Sequence, residues 1–272
     1  MARSSAVLPD WLLIGLALVL GAGVTVGLIM LPTIVNRLDP PDVREPGEWR
    51  FTHAVDSAAW PVEQRILTAE REYTIVTGPS GSPCVVSLGR GPLTDEATSG
   101  RRVRIGTRTG YYSDDPSEDP DIVWTYAPGA HAEVRCFDPV GEATLRDLAE
   151  SVVFLDSRVR LPFMITSLPR GFHVATIDER RAGAEVAVTL RPEAGMAVPS
   201  VIISYGSDRT VDRCVTQHAG QRVCLSSSWS AEDLPNAAGR ARLTVDAATD
   251  RLELAPEVAD RSSWFDAMDL PR

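Results

Sequence analysis

Residues 11–31, WLLIGLALVLGAGVTVGLIML, form the longest apolar run in the chain and contain no charge. A helix rises 1.5 Å per residue, so this run spans roughly 30 Å, the thickness of a bilayer core. Trp11 lies where an interfacial aromatic belongs, and Pro32 closes the run. The pattern predicts an uncleaved transmembrane helix rather than a signal peptide, whose apolar core is shorter. The expected organisation is a short tail over 1–10, the span over 11–31, a linker over 32–50 and an outer domain beyond it. Within 36–49, Pro40, Pro41, Pro46 and Gly47 stand among alternating charges, the composition of a semi-stiff spacer.

Beyond the linker the period shifts to strands. Residues 53–72 are ambiguous, because Val62, Ile66, Ala69 and Tyr73 have helical spacing while Tyr73–Thr77 has the composition of a strand. CVVSLG (84–89), RRVRIG (101–106), IVWTY (122–126) and HAEVRCF (131–137) are β-rich, with Gly, Pro and Asp clusters between them. APGA at 127–130 predicts a hairpin turn. EATLRDLAESVVF (142–154) reads as a helix, since Leu145, Leu148, Ala149 and Val152 make one apolar stripe and Glu142 complements the dipole. A Pro- and Gly-bearing junction at 162–172 leads to a second strand series: HVATID (173–178), EVAVTL (185–190), SVIISYG (200–206) and QRVCLSSSW (221–229).

The two series look like copies. Cys84–Gly89 matches Val201–Gly206 at an offset of 117, and Gly100-x-Arg102-Val103 matches Gly220-x-Arg222-Val223 at 120. Tyr112-Ser113 then falls near Trp229-Ser230. The expected fold is therefore α+β and β-rich. An N-terminal transmembrane helix precedes an ectodomain of antiparallel sheets with few helices, in two duplicated units over 51–160 and 161–272.

Charge and cysteine usage sharpen the picture. All 27 basic residues are Arg, which excludes Schiff-base chemistry, a Walker-type phosphate lysine and a Ser–Lys dyad. The net charge of −10 lies almost wholly beyond the anchor and disfavours nucleic acid as a partner. Two cues to orientation disagree. Arg37, Arg44 and Arg50 follow the helix while only Arg3 precedes it, which by the positive-inside rule places the domain in the cytoplasm. Against this, long domains translocate largely regardless of charge. The even set Cys84, Cys136, Cys214 and Cys224 also lacks metal-site spacing and reads as two disulfides in an oxidising compartment. The expectation is N-terminus in, domain out. The expected pairs are Cys84–Cys136 within the first unit and Cys214–Cys224 across a turn near 218–221.

Candidate chemistry is sparse. His131-x-Glu133 places an imidazole and a carboxylate on one strand face but has no third metal ligand. Asp114, Asp115, Glu118, Asp119 and Asp121 crowd one loop without EF-hand spacing. GPSGSP (78–83) leads into a strand rather than a helix, so it reads as a turn and not a phosphate loop, and Ser226–Ser228 lie in no nucleophile elbow. No cofactor or metal signature is present. Gly23-x-x-x-Gly27 would allow close helix packing in lipid, with a second copy or another membrane protein.

At WTYAPGAHAEV (124–134), LRDLAESVVF (145–154) and RLPFMITSLPRGF (160–172) the chain resembles single-pass membrane proteins of actinobacteria to which no activity is assigned. The resemblance covers about residues 80–175 and implies an anchored outer domain. The Leu-Pro-x-Gly-Phe segment is also similar to extracytoplasmic domains attached to bacterial anti-sigma factors. The ten residues ahead of the anchor are too few for a sigma-binding module, so that role does not carry over. The expected function is a non-catalytic envelope protein whose outer domain binds a partner or ligand. The alternatives are an envelope hydrolase with a site built from dispersed residues, and a lipid-binding domain with an apolar cavity.

Overall fold

Strict alternation of buried and half-buried residues along AHAEVRC shows how the sheet is built: Ala130, Ala132, Val134 and Cys136 face the interior, and His131, Glu133 and Arg135 face away. The structure is a computed structural model that describes residues 43–79, 81–113, 119–180, 183–194, 196, 199–206, 213–216, 222–228, 245–255 and 260–271. The expected membrane span at 11–31, with Gly23 and Gly27, lies outside the described residues. No described helix is long and apolar enough to cross a membrane.

Twelve strands form one antiparallel sheet. In chain order they are β2 (Val62–Thr68), β3 (Glu72–Thr77), β4 (Pro83–Arg90), β5 (Arg101–Ile105), β6 (Arg108–Ser113), β7 (Asp121–Ala127), β8 (Ala130–Cys136), β12 (Phe172–Arg180), β13 (Glu185–Pro192), β14 (Ser200–Tyr205), β15 (Arg213–Thr216) and β16 (Arg222–Ser228). Their spatial order is β15-β16-β14-β13-β12-β2-β3-β4-β8-β7-β6-β5. Outside this sheet, β1 (Arg50–Val55) pairs with β9 (Val152–Arg158). Likewise β10 (Arg160–Leu161) pairs with β18 (Phe265–Asp266), and β11 (Phe163–Ile165) with β17 (Leu252–Leu254). Helix α1 (Glu142–Ser151) buries Leu145, Leu148 and Ala149.

Several local expectations change. The ambiguity over 53–72 resolves to strands: these residues lie in β1, β2, the first position of β3 and the turns between them, because β2 pairs with both β3 and β12. The helix expected over 142–154 stops at Ser151, and Val152, Val153 and Phe154 pair with β1 instead, as β-branched and aromatic residues favour. Arg44 and Trp49, read as part of the spacer, are buried. The APGA turn is formed around Gly129 at φ 70°, a conformation glycine adopts without penalty.

Cys84–Cys136 and Cys214–Cys224 are disulfide-bonded, the first joining directly opposed residues of β4 and β8, the second of β15 and β16. Such bonds form in an oxidising, extracytoplasmic environment.

The order of strands repeats on either side of the β2–β12 junction. Moving one way the neighbours are β2-β3-β4-β8-β7, and moving the other way β12-β13-β14-β16-β15. At the junction Leu67 opposes Ile177, Ile66 opposes Asp178 and Arg65 opposes Glu179, a register centred on Ile66–Asp178. Each half also pairs its leading strand with a closing strand that follows a helix: β1 with β9 after α1, and β11 with β17 after the helix at 245–249. The match of 84–89 to 201–206 falls on β4 and β14, which correspond in this order. The match of 100–103 to 220–223 does not: it pairs the outermost strand β5 with β16, whose counterpart is β8. Trp229-Ser230 lie outside the described residues.

Among the described residues, the buried apolar side chains form two clusters. One gathers Trp60, Val86, Leu88, Ile122, Trp124, Leu145 and Leu148. The other gathers Phe163, Ile177, Val188, Ile203, Leu225 and Trp264, and it also takes in Phe51 and Leu67 from the first half. The halves therefore share a core as well as a sheet.

Candidate binding cleft at the seam

Alternation along β3 turns Glu72, Thr74 and Val76 inward, so a carboxylate and a hydroxyl enter an apolar interior. β1 lies across them and brings Thr52 and His53. Glu72 Oε2 accepts from the Thr52 amide at 2.8 Å and lies 3.0 Å from His53 Nδ1. The Thr52 hydroxyl donates to Glu72 Oε1 at 2.5 Å. On its other edge His53 Nε2 lies 2.9 Å from Thr74 Oγ1. An ionised Glu72 can only accept, so His53 Nδ1 carries a proton; Nε2 accepts from the Thr74 hydroxyl when the ring is neutral and donates to it when the ring is charged.

Arg44 closes the cluster, its Nε 3.7 Å from Glu72 and its Nη2 donating to the Thr68 carbonyl at 2.8 Å. Burial pushes the Glu72 carboxyl up, but the hydrogen bonds from His53 and Thr52 and the His53 charge outweigh it and hold the group below the usual carboxylate range. Burial lowers Arg44, with Glu72 and Glu48 opposing. Burial, and next the Glu72 charge, push the Tyr126 phenol up to about 12.

Thr74 also forms part of the floor of a cleft of about 330 Å³. Its walls come from β1, β2 and β9 on one side and from Glu179, Gly183 and Arg261 on the other. Arg65 is its most constrained cation: the guanidinium lies 3.6 Å over the Phe51 ring, and Nη2 donates to the His53 carbonyl at 3.0 Å. Glu179 approaches Arg65 Nη1 at 3.8 Å. Burial raises the Glu179 carboxyl, with Arg65 and then Arg261 opposing, and burial lowers Arg65. Arg261 packs against Gly183 (φ +79°), where a Cβ would collide with its guanidinium. Arg158 lies at the rim, paired with Asp266 at 3.0 Å.

The two halves differ at this place. β3 pairs Glu72 with Leu88 and Thr74 with Val86, and β13 pairs Val186 with Tyr205 and Val188 with Ile203. Aligning β4 with β14 thus sets Glu72 against Val186 and Thr74 against Val188. One strand inward, Arg65 opposes Thr74 while Ile177 opposes Val188. Three polar groups in the first half have fully apolar counterparts, Val186, Val188 and Ile177, each at most 1% exposed. The fold accommodates an apolar solution here, and burying ionised groups is costly, so packing alone does not account for the polar set.

The residues singled out in the sequence lie elsewhere. His131 and Glu133 share the outward face of β8, where His131 Nδ1 lies 3.1 Å from the Gly91 carbonyl and Glu133 pairs with Arg135. Asp119 and Asp121 are described and Asp114, Asp115 and Glu118 are not. Among the described residues no three His, Cys, Asp or Glu side chains are grouped for a metal. Gly78, Gly81 and Ser82 lie between β3 and β4, with the Gly78 amide donating to the Ser82 carbonyl and the Gly81 amide to the Gly78 carbonyl. Ser226–Ser228 lie on β16, separated from β2 by three strands. Sequence reading missed His53, Glu72, Thr74 and Arg65. The available signal was an acid at an inward position of the alternating strand EYTIVT, but nothing in a linear pattern names His53 as its partner.

Comparison with family models, curated proteins and solved structures yields no match to this chain.

Proposed function

We propose that this chain is a non-catalytic, membrane-anchored extracytoplasmic binding protein, duplicated in sequence over 51–160 and 161–272, whose ligand occupies the cleft at the seam. The observation that carries this reading is the polar set at the cleft, with Arg65 and Thr74 in its lining and Glu72 buried beside them on β3, where the second half has Ile177, Val186 and Val188. Specialisation of one copy while its twin keeps an apolar core is the expected course when a duplicated fold gains a site. The anchor at 11–31 holds the domain at the membrane, and Gly23 and Gly27 offer a face for another copy or another membrane protein. Native mass spectrometry of the full chain, purified in mild detergent and incubated with envelope extract, tests the cleft. A bound small-molecule mass that disappears in Ala54→Phe, which fills the cleft from β1, is the expected result. A chain that takes up no such mass would overturn it.

One observation favours the hydrolase alternative: Glu72, His53 and Thr74 are connected in the order of an acid–base–nucleophile relay. Thr74 is 0% exposed, however, and no substrate atom reaches its hydroxyl in this conformation. A fluorophosphonate adduct on Thr74 would support the enzyme, and its absence the binding reading. Lipid binding is less favoured, because the cleft carries Arg and Glu side chains and Leu145 and Leu148 of α1 pack into the first-half core beneath the sheet.

A further inference from the structure

The cleft has an electrostatic preference of its own. Arg65 is fixed before any ligand arrives, stacked on Phe51 and tied to the His53 carbonyl, so ordering it on binding costs little conformational entropy. Its Nε–H is buried and has no hydrogen-bond partner among the described residues. An orphaned buried donor is unfavourable, and a ligand acceptor that met the guanidinium would offset part of that cost. Glu179 is not that acceptor: it lies 3.8 Å from Nη1, beyond hydrogen-bond reach. Arg158 and Arg261 add two further cations, one from each half, to a cleft whose lining acids are Glu63 and Glu179. The cleft volume of about 330 Å³ suits a ligand of monosaccharide or dipeptide size, the small end of ligand sites.

We propose that the cleft is an oxyanion site, in which the carboxylate or phosphate group of a small ligand pairs with the Arg65 guanidinium, with Arg158 and Arg261 flanking it. This assignment rests on the reading of the cleft as the binding site. Guanidinium favours such groups because its planar donors match their oxygens. The Ile177 counterpart in the second half can make no such contact, so one molecule binds one anion.

The test is thermal unfolding of the full chain in neutral detergent with inorganic phosphate or D-glucuronate, at ionic strength held constant with sodium chloride. The expected result is a saturable rise in Tm with at least one of the two. Arg65→Met should abolish it or weaken affinity at least tenfold, and Arg158→Gln, an exposed rim change that leaves the core intact, should weaken it a few-fold. Glucose and ethanolamine serve as neutral and cationic probes, and Ala54→Phe as the blocked cleft. If glucose or ethanolamine stabilises the wild type but not Ala54→Phe while the anions do nothing, the anion assignment is wrong and the cleft reading stands. If no probe acts, both fall. An equal anion response in wild type, Arg65→Met and Arg158→Gln would also overturn the assignment. Nanodiscs of phosphatidylglycerol against phosphatidylcholine identify the source. Stabilisation by the anionic lipid that soluble phosphate competes away points to a headgroup, and its absence beside a phosphate response points to a soluble ligand.

Discussion

Glu72 and Val186 occupy corresponding places in the two halves of the sheet, each the inward residue at the start of its strand, one ionisable and one apolar. The carboxylate is held by His53, Thr52 and Arg44, so removing it leaves two buried basic groups without their acid.

Glu72→Val should therefore destabilise the domain by about 3–5 kcal/mol in chemical denaturation, although the same residue is native at Val186 in the other half. The pH dependence has a definite sign. Because the folded Glu72 carboxyl lies below its unfolded value of about 4.3, its contribution is present above that pH and is lost as pH falls below it toward the folded value. In Glu72→Gln the acid limb of the stability–pH curve should be shallower than in the wild type. Identical limbs would show that Glu72 does not titrate as described.

Leu67 lies on β2 yet packs with second-half residues, so the halves should not unfold separately. Leu67→Ala should cost about 2–5 kcal/mol and lower one common transition seen by tryptophan fluorescence and far-UV circular dichroism alike. Two separated transitions would contradict the shared core.

The disulfides close loops of different length, 52 residues apart for Cys84–Cys136 and 10 for Cys214–Cys224. Loop-closure entropy predicts that replacing the first pair by Ser costs about 1.5 kcal/mol more than replacing the second. Equal losses would mean that packing around the sulfurs, not chain entropy, sets their value.

For the proposed topology, a membrane-impermeant protease should digest the β domain on intact spheroplasts. Protection until lysis would place the domain inside and vindicate the arginine count at Arg37, Arg44 and Arg50 over the disulfide argument.

For the proposed lateral contact, Gly23→Leu with Gly27→Leu should reduce crosslinked adducts in membranes while insertion is unchanged. Undiminished adducts would leave the helix as an anchor alone.

What the sequence determined by itself was local. Alternation in AHAEVRC and EVAVTL, the Gly129 turn and the Leu145–Leu148–Ala149 stripe each follow from periods of two or 3.6 residues, which a few neighbouring positions suffice to define. Four cysteines without metal spacing were enough to indicate disulfides, because redox chemistry depends on residue type more than on geometry.

Tertiary structure decided everything that depends on which strand lies beside which. Val152–Phe154 leave the helix because β1 offers ladder hydrogen bonds, and residues 53–72 become strands because β2 is paired on both sides. The pairing of β2 with β12 merges two series read as separate units into one sheet, and it brings Arg65 to Glu179, 114 positions away in the chain. The cluster of His53, Glu72 and Thr74 joins β1 to β3, strands that do not pair with each other. Hydrogen bonds and burial between such elements act through space at about 3 Å, and no period along the chain encodes them.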